Sequence, residues 1–411
     1  WGTISLRDAL RPAIQVANRG FMVDQTFQQQ IIDNRAAFSQ FSSTSALYLP
    51  GGEPPAVGST FRNRDLAQTY RLLSRQGMDA FYHGDLAADI VRTVQHPPVV
   101  ADPREPWAFP IRPGTMETSD LAGYDIRTPR PTHIRYRGYD VYGMPTPSSG
   151  GSTVGEGLNI VENWDLGDLS RTQALHRYLE ASALAFADRN RYVGDDTPRA
   201  LLDELLSQRF ANERACQIDP TKALTKPVAP GVPDGSYAQC AVAAHALVQI
   251  NERGTTNLTV TDRWGNVVEY TLTIEQIGGN AMVVPGRGFL LNNELTDFNF
   301  TPTQGNAPDP NLPAPGKRPR SSMAPTILLS HGKPFLATGS PGGASIITTV
   351  FQILLNRIDF GMTLPAAVAA PRASQRNTAT VQAEPAFLAS SQAAQLTALG
   401  HEFTETPEIG A

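Results

Sequence analysis

The sequence predicts an α+β fold in which layered sheets are covered by helices. Roughly the first third of the chain has apolar residues at helical spacing, and two hairpin patterns follow from Thr255 onward. An apolar helix comes directly after the second hairpin. Helices, then paired hairpins, then further helices indicate sheets that bury their apolar faces under helices.

Helical spacing and end signals define the predicted helices. Leu6 to Asn18 has one apolar face and ends before Gly20, and Arg64 to Gln76 ends in the same way before Gly77. Glycine just past the last turn is typical of a helix end because it adopts a positive φ without strain. The same spacing continues in residues 23–41, from about 153, and in residues 172–192, 201–213 and 344–356.

Strand-forming residues on both sides of short turns define the predicted hairpins. Thr255 to Thr261 and Val267 to Ile274 flank a turn that contains Gly265. A second hairpin is predicted from the runs Thr326 to Ser330 and Pro334 to Thr338, and residues 133–142 contain two strand-forming runs separated by Gly138. The chain therefore has enough paired strands for more than one sheet.

Composition and charge exclude several classes of protein. The 411 residues allow two or three domains or one large sandwich, and 41% hydrophobic with 18% charged residues excludes a disordered chain. A net charge of -5 gives no reason to expect nucleic acid or an anionic membrane as a partner. No stretch approaches the roughly 18 apolar residues of a membrane span. The basic cluster 317–320 is short, so a solvated loop is favoured there over a site that binds a polyanion.

The histidines and cysteines predict no metal site and no cofactor. The seven histidines show no metal-ligand spacing, and two cysteines alone cannot build a structural zinc site. The favoured interpretation of Cys216 and Cys240 is a disulfide, since the enclosed loop of about 25 residues would gain roughly 3 kcal/mol from the tether. Two reduced, unrelated thiols are the alternative.

The junction between Gly254 and Thr255 is the first candidate for chemistry. Taken alone, Thr255 is an ordinary strand start. The sharper hypothesis is self-cleavage, in which the Thr255 hydroxyl attacks the Gly254 carbonyl carbon and Thr255 becomes a new N-terminus. Its free α-amine has an ordinary pKa near 8, so part of it is neutral at about pH 7 and serves as base for its own hydroxyl.

Gly342 and Gly343 are the second candidate. They precede an apolar helix, and backbone N–H groups at a helix N-terminus can stabilise an oxyanion. An ordinary turn and helix start is the alternative.

Two polar pairs are further binding candidates. Ser321 and Ser322 offer two hydroxyl donors for a carboxylate, with a polar strand entry as the alternative. Glu294 and Asp297 offer two carboxylates for an ammonium group, with a capped loop as the alternative.

These candidates fall within runs of residues that occur in one order along the whole chain. The runs are Pro145 to Gly151, His176 with Glu180 and Ala185 to Arg189, Thr255-Thr256 with Tyr270 to Leu272, Leu291 to Phe298, Pro315 to Met323, and Gly339 to Thr349. Together they resemble the γ-glutamyltransferase (γ-glutamyltranspeptidase) family of N-terminal nucleophile hydrolases. The resemblance implies a four-layer αββα sandwich and processing into two pieces of one structural unit, residues 1–254 and 255–411.

The resemblance also implies a role for each candidate residue. Thr255 would be the nucleophile, and Thr273 would hydrogen-bond it from the adjacent strand. Gly342 and Gly343 would donate to the oxyanion. The remaining candidates would bind a γ-glutamyl group, its ammonium at Glu294 and Asp297 and its carboxylate at Ser321 and Ser322.

The implied reaction passes through a γ-glutamyl-Thr255 ester. The donor would be a γ-glutamyl amide such as glutathione, and the ester would pass to water or to an amino-acid or peptide amine. No metal or organic cofactor is implied. The resemblance further implies a secreted or periplasmic protein, a large and a small subunit from one precursor, and an N-terminal portion outside this sequence that supplies an arginine for the donor carboxylate.

Two positions and one loop depart from the family pattern. Glu275 stands where many members have an asparagine that contacts the donor's amino group, and Asn257 stands where a histidine is common. The loop from Asn299 to Gly316 is short and has no tyrosine to latch a lid, which predicts an open cleft that admits large acceptors. A glycan on the Asn257 sequon would block that cleft and is not expected.

Three other functions remain as alternatives. An acylase of the same fold would act on glutaryl-type amides or on a biosynthetic intermediate, but Glu275, Glu294 and Asp297 favour a donor with an ammonium group. A non-catalytic binding protein would not need the intact Thr255 and Thr273. A serine hydrolase using Ser322 has no histidine tied to that serine by any motif.

Overall fold

The computed structural model describes residues 2–107, 109–237 and 254–410. They form two compact units, the first from Trp1–Thr128 and Gln276–Asn293 and the second from Pro129–Glu275 and Glu294–Ala411. Cys240 lies outside the described residues, so its disulfide with Cys216 stays a prediction. Within these residues, no helix combines the length and the apolar character that crossing a membrane requires.

The first unit is mainly helical. Its elements are α1 (Leu6–Arg19), β1 (Phe21–Met22), α2 (Gln25–Asp33), α3 (Arg35–Phe38), α4 (Ser42–Tyr48), a 3₁₀ turn (Pro50–Gly52), β2 (Thr60–Phe61), α5 (Arg64–Gln76), α6 (Asp79–Tyr82), α7 (Asp85–Gln95) and α8 (Thr118–Ala122).

Residues 276–293 return to the first unit through its core. Ala281 and Met282 pack with Phe38 and Phe41. The Thr44 hydroxyl donates to the Ala281 carbonyl at 2.8 Å and accepts from the backbone N–H of Val283 at 2.9 Å. These buried hydrogen bonds satisfy backbone groups next to the single antiparallel bridge between Val283 and Leu290.

The second unit alternates sheets and helices. Its elements are β3 (Thr132–Tyr136), β4 (Tyr139–Gly143), α9 (Gly150–Val161), α10 (Arg171–Tyr192), α11 (Arg199–Leu205), α12 (Gln208–Ala215), β5 (Thr256–Thr261), β6 (Val267–Leu272), a 3₁₀ turn (Glu294–Asp297), β7 (Thr326–Ser330), β8 (Lys333–Thr338), α13 (Ser345–Ile358), α14 (Leu364–Ala369), β9 (Ala373–Ser374), β10 (Val381–Ala383), α15 (Pro385–Leu388), α16 (Ser391–Ala398) and β11 (Phe403–Glu405).

Antiparallel pairing joins segments that are distant in sequence. Strands β3, β4, β7 and β8 form one sheet in that order, and Val141 of β4 faces Leu328 of β7. Strands β5 and β6 form a separate hairpin in which Thr256 faces Leu272. The order β11-β10-β9 makes a third sheet. Helices and mainly antiparallel sheets in one unit confirm the predicted α+β class.

Helix α10 is the centre of the second unit's core. Most of its 22 residues are buried on all sides, and it packs against α9 and α16. Helix α9 in turn contacts β3, β4 and α13. A helix that is covered all round is buried like a core element, so its charged residues need partners inside the protein.

Two predicted helices are each observed as two. Residues 23–41 were predicted as one helix, but Asn34 leaves helical geometry between α2 and α3. Residues 201–213 are likewise divided between α11 and α12, where the Ser207 side chain caps the second helix by accepting from the Phe210 N–H at 3.1 Å. In the second case a local side-chain cap competes with continuation of the helix.

Candidate active site

One cleft in the second unit collects the predicted site residues. The space between its walls, counted out to the open solvent, is about 270 Å³. The lining residues are Thr255, Thr273, Glu275, Glu294, Asp297, Ser321, Ser322, Met323, Gly342, Gly343 and Ile346. Every predicted catalytic and substrate-binding residue is therefore in one place, whereas their individual roles stay predictions.

The Thr255 hydroxyl lies against the carbonyl oxygen of the residue before it. Its Oγ1 donates to the Gly254 carbonyl oxygen at 2.6 Å, with the Gly342 carbonyl oxygen as a second acceptor at 3.0 Å. Thr273 Oγ1 lies 3.3 Å from Thr255 Oγ1 and donates to the Gly254 oxygen at 3.0 Å. The pairing of Thr256 with Leu272 explains this contact, because the next positions on the two strands are Thr255 and Thr273.

Three carboxylates lie on the wall of the cleft. Glu294 and Asp297 begin and end one 3₁₀ turn, where residues three apart share a face. Glu275 is buried and has a positive φ of 71°, and its N–H donates to Thr273 Oγ1 at 2.9 Å. This acidic wall favours a cationic group such as an ammonium.

The start of α9 holds the serine pair in place. The N–H and hydroxyl of Ser149 donate to the Ser321 carbonyl oxygen at 2.9 and 2.8 Å. The Ser148 hydroxyl donates to the Met323 carbonyl oxygen at 2.6 Å. A Cβ at Gly150 would lie 2.1 Å from that oxygen, so only glycine permits this approach. The run from Pro145 to Gly151 thus positions Ser321 and Ser322.

Arg189 is a contact residue that sequence reasoning left without a role. Its side chain is buried in α10, where Nη2 donates to Ser322 Oγ at 2.9 Å and Nε donates to Ser149 Oγ at 2.7 Å. The residue belongs to the run Ala185 to Arg189, which carried the family resemblance but no assigned function. Its place in that run was the available signal.

Gly342 has a backbone that favours glycine. Its φ is 119°, and a Cβ there would lie 2.9 Å from Ser345 Oγ at the start of α13. The carbonyl oxygen of Gly342, 3.0 Å away, is the group that accepts from Thr255 Oγ1. Donation by the N–H groups of Gly342 and Gly343 to an oxyanion stays a prediction.

A second group of titratable residues lies buried elsewhere in the second unit. His176 and Glu180 are one turn apart on α10, and their ligand atoms and those of His401 lie within 4.8 Å of one another. Lys226 Nζ contacts Glu180 Oε1 at 2.6 Å, and His176 Nδ1 contacts His401 Nε2 at 2.8 Å. The ammonium group of Lys226 lies beside Glu180, where a metal ion would otherwise be held, so these residues form a hydrogen-bonded network. The spacing of the histidines in the sequence did not predict it.

Burial shifts the pKa values of histidines in this network and of Glu156 on the neighbouring helix α9. It lowers the pKa of His176, and burial followed by the charge of Lys226 lowers the pKa of His401 to about 3. Farther along α10, Asp188 pairs with Arg214 at 2.8 Å. Burial, and then the Asp188 charge, raises the pKa of Glu156 well above its ordinary value. Of the two neighbouring carboxyl groups, Glu156 and Asp188, Glu156 is therefore the one that carries a proton.

The basic cluster 317–320 is engaged within the second unit. Lys317 Nζ pairs with Asp196 at 2.7 Å. The buried Arg320 guanidinium donates to the carbonyl oxygens of Arg189 and Val193 at 3.2 and 3.1 Å, where a cation complements the C-terminal end of α10.

The side chain of Asn257 is also held by hydrogen bonds within the second unit. Its amide donates to Glu269 Oε1 at 2.7 Å and accepts from the Thr271 hydroxyl at 2.9 Å.

The chain is similar to enzymes of one family along its whole length. A family model described as gamma-glutamyltranspeptidase matches residues 1–411. The glutathione hydrolase proenzyme of Bacillus subtilis (strain 168) is 36% identical over 417 residues, which cover 100% of this chain and 67% of that protein. The Escherichia coli (strain K12) protein of the same name is 33% identical, over 90% of this chain and 61% of its own length.

Acylases are also among the similar proteins. The acylase ACY 1 proenzyme of Pseudomonas sp. (strain SE83) is 33% identical over 100% of this chain and 67% of its own length. The crystal structure of cephalosporin acylase from Bacillus halodurans superposes with a TM-score of 0.81 at 27% identity, covering 100% of this chain and 70% of the other. The likeness confirms the predicted fold. The family model that matches residues 1–411, together with relatives such as the Bacillus subtilis protein that align with the whole of this chain, shows that the chain belongs to the gamma-glutamyltranspeptidase family.

Proposed function

We propose that this chain is a self-processing γ-glutamyl hydrolase and transferase. The observation that carries the proposal is the contact of the Thr255 hydroxyl with the Gly254 carbonyl at 2.6 Å, in a cleft with an acidic wall and a serine pair. Similarity to glutathione hydrolase proenzymes supports glutathione or a related γ-glutamyl amide as donor.

Processing would begin with attack of Thr255 Oγ1 on the carbonyl carbon of Gly254. The Gly254–Thr255 C–N bond breaks, the acyl group moves to the hydroxyl oxygen, and the amine of Thr255 takes the proton. Water then hydrolyses the ester to a Gly254 carboxylate and a free Thr255 hydroxyl. Thr273 Oγ1 supports this step, since its donation to the Gly254 oxygen at 3.0 Å stabilises the developing negative charge.

Catalysis would reuse the same hydroxyl. The free amine of Thr255 takes the hydroxyl proton while the oxygen attacks the γ-carbonyl carbon of the donor, and the leaving amine departs with a proton. Water or an acceptor amine then attacks the γ-glutamyl ester, which releases glutamate or a new γ-glutamyl amide and restores the hydroxyl. The nucleophile and the base of this sequence both come from Thr255.

Binding of the donor would follow the charge pattern of the cleft. The carboxylates of Glu275, Glu294 and Asp297 would hold the α-ammonium group, and the hydroxyls of Ser321 and Ser322 would hold the α-carboxylate. A γ-glutamyl group carries an ammonium and a carboxylate on one carbon. Contacts with both groups distinguish it from a plain acyl chain.

The two pieces made by processing, residues 1–254 and 255–411, would remain together. Pairing of β4 with β7 joins residues from both sides of the junction, as does the core of the second unit. Separation would expose that core and leave strand edges unpaired. Together with the expected disulfide, the family membership supports a secreted or periplasmic location.

The first test is denaturing intact mass with N-terminal sequencing of the purified protein. The proposal expects two polypeptides, one of which begins Thr255-Thr256-Asn257. A single uncleaved chain after prolonged incubation would contradict it.

Substrate analogues separate this proposal from an acylase, which the similarity to the ACY 1 proenzyme and to cephalosporin acylase favours as second candidate. The proposal expects hydrolysis of L-γ-glutamyl-p-nitroanilide and little hydrolysis of glutaryl-p-nitroanilide, which lacks the ammonium group. The reverse preference would establish the acylase.

A further inference from the structure

A buried guanidinium lies behind a cleft that is lined by carboxylates. The described lining residues include three carboxylates but no lysine, arginine or histidine. Directly behind the serine pair, the guanidinium of Arg189 contacts Ser322 at 2.9 Å. Arg189 is only 7% exposed, so its charge acts through protein with little screening by water.

The hydrogen bonds of Arg189 determine which way the Ser322 hydroxyl can donate. A guanidinium has donors only, whereas a hydroxyl has one donor and two acceptor positions. Ser322 Oγ accepts from Arg189 Nη2, so its own hydrogen must point away from the guanidinium. Because Ser322 also lines the cleft, this geometry makes its hydroxyl a donor toward a bound substrate.

Arg189 is itself held by contacts that restrict its orientation. Nη1 donates to Asn190 Oδ1 at 2.9 Å, and Nε donates to Ser149 Oγ at 2.7 Å. Ser149 uses its own hydrogen to donate to the Ser321 carbonyl oxygen at 2.8 Å. One guanidinium therefore connects to both serines of the pair, to Ser322 directly and to Ser321 through Ser149.

We propose that Arg189 is a positioning residue for the α-carboxylate of the donor, one that aligns the Ser322 hydroxyl and gives the serine end of an acidic cleft a positive potential. The inference rests on the proposed γ-glutamyl function. It adds a specificity determinant that does not touch substrate, and it explains how a cleft lined with carboxylates could accept an anionic group.

Two anilides that differ only in the α-carboxylate test this role. The ratio of kcat/KM for L-γ-glutamyl-p-nitroanilide to that for 4-aminobutanoyl-p-nitroanilide measures the contribution of the carboxylate. If the second anilide reacts too slowly, the ratio of the inhibition constants of 4-aminobutanoate and L-glutamate, as competitive inhibitors, measures the contribution of the carboxylate to binding instead. Only fully processed protein is compared, as judged by intact mass.

Arg189→Met is expected to lower this ratio at least about tenfold, mainly through a higher KM for the γ-glutamyl anilide, because a charge-assisted interaction with the bound carboxylate is lost. Arg189→Lys keeps the charge but not the planar guanidinium, so its ratio should lie between those of the parent and of Arg189→Met. The matched control is Arg177→Met, on the same helix and also 7% exposed, which should leave the ratio unchanged. In a Ser322→Ala background, Arg189→Met should have a smaller effect than in the parent.

The outcomes separate the two proposals. If the parent protein hydrolyses no γ-glutamyl anilide, the proposed function fails and this inference falls with it. If the parent is active and the ratio is the same in Arg189→Met as in Arg177→Met, only the role of Arg189 is overturned. Should Arg189→Met fail to fold or process, Arg189→Lys decides, and a ratio equal to that of the parent would overturn the role.

Discussion

The cleft at Thr255 and the buried helix α10 use polar groups in opposite ways. The cleft relies on hydroxyls, backbone groups and carboxylates that line a space open to a ligand. Helix α10 carries buried charged side chains that form ion pairs inside the protein, as in Glu180–Lys226 and Asp188–Arg214. Under the proposed function, the groups in the cleft would act on a substrate, whereas the paired charges of α10 stabilise the fold.

The cost of removing a group should follow this division. In the proposed mechanism the Thr255 hydroxyl is needed for bond breaking, whereas it should contribute little to the free energy of unfolding. A charge in α10 does no chemistry, yet its loss leaves the partner charge buried and unpaired. Arg189 lies on α10 and contacts the serine pair, so it belongs to both regions.

The largest expected effect is on the rate, from Thr255→Ala. This change should abolish processing and lower γ-glutamyl hydrolysis at least about a thousandfold, because no nucleophile remains. The free energy of unfolding should change by less than about 1 kcal/mol, since one partly exposed hydroxyl is lost. Thr261→Ala, at the exposed end of β5, is the control and should process normally. Processing of the Thr255→Ala protein would contradict the assignment.

Next in size is the stability effect of breaking the pair between Asp188 and Arg214. Asp188→Ala should lower the free energy of unfolding by about 3–5 kcal/mol, because the Arg214 side chain, only 1% exposed, loses its counter-ion. Asp203→Ala removes one partner of an exposed pair with Arg199 and should change stability by less than about 0.5 kcal/mol. Denaturant unfolding measures both. Equal small losses would erase the distinction between buried and exposed pairs.

The sequence predicts features that local patterns determine. The bounds of α5 are those predicted, Arg64 to Gln76, and both later hairpins lie where their turns indicated. Helix spacing, turn glycines and caps act over a few residues, so one sequence contains that information. The break at Asn34 was missed because the apolar period continues across it.

Contacts between distant residues carry no such signal. Arg189 and Ser322 are 133 positions apart, and His176 and His401 are 225 apart. Family resemblance brought the cleft residues together in advance because their motifs could be matched in order. The resemblance did not say which side chains form hydrogen bonds with one another. The contact between Arg189 and Ser322 was therefore found only in the three-dimensional structure.

An effect that appears only at acidic pH is expected from the histidine pair in the buried network of the second unit. The pKa of His401 is lowered from 6.5 to about 3 by burial, then by Lys226 and His176. The unfolded chain therefore binds the proton more tightly, and the free energy of unfolding falls as the pH decreases from about 6.5 toward 3. The slope is about 1.4 kcal/mol per pH unit for this histidine.

His401→Gln should flatten the pH dependence of unfolding within that window, when compared with the parent at each pH. Glu180 and Lys226 remain in the variant, so the difference between the two proteins isolates the imidazole. His96→Gln, at an exposed position in the first unit, is the control and should leave the slope unchanged. Parallel curves for the parent and His401→Gln would show that His401 does not couple to folding.

The smallest expected effect concerns access to the cleft. The loop 299–316 is short, and its Asp309 accepts from the N–H groups of Thr303 and Asn311 at 2.9 Å each, which fold the loop on itself. With no tyrosine in this loop to latch a lid, a γ-linked glutamyl polymer should be hydrolysed with a kcat/KM within about tenfold of that for glutathione. A graded series of γ-linked oligomers measures this, with the shortest as internal control. A steep decline with length, or total exclusion of the polymer, would mean that the cleft is closed to large substrates, and size as well as charge would then determine which amides reach Thr255.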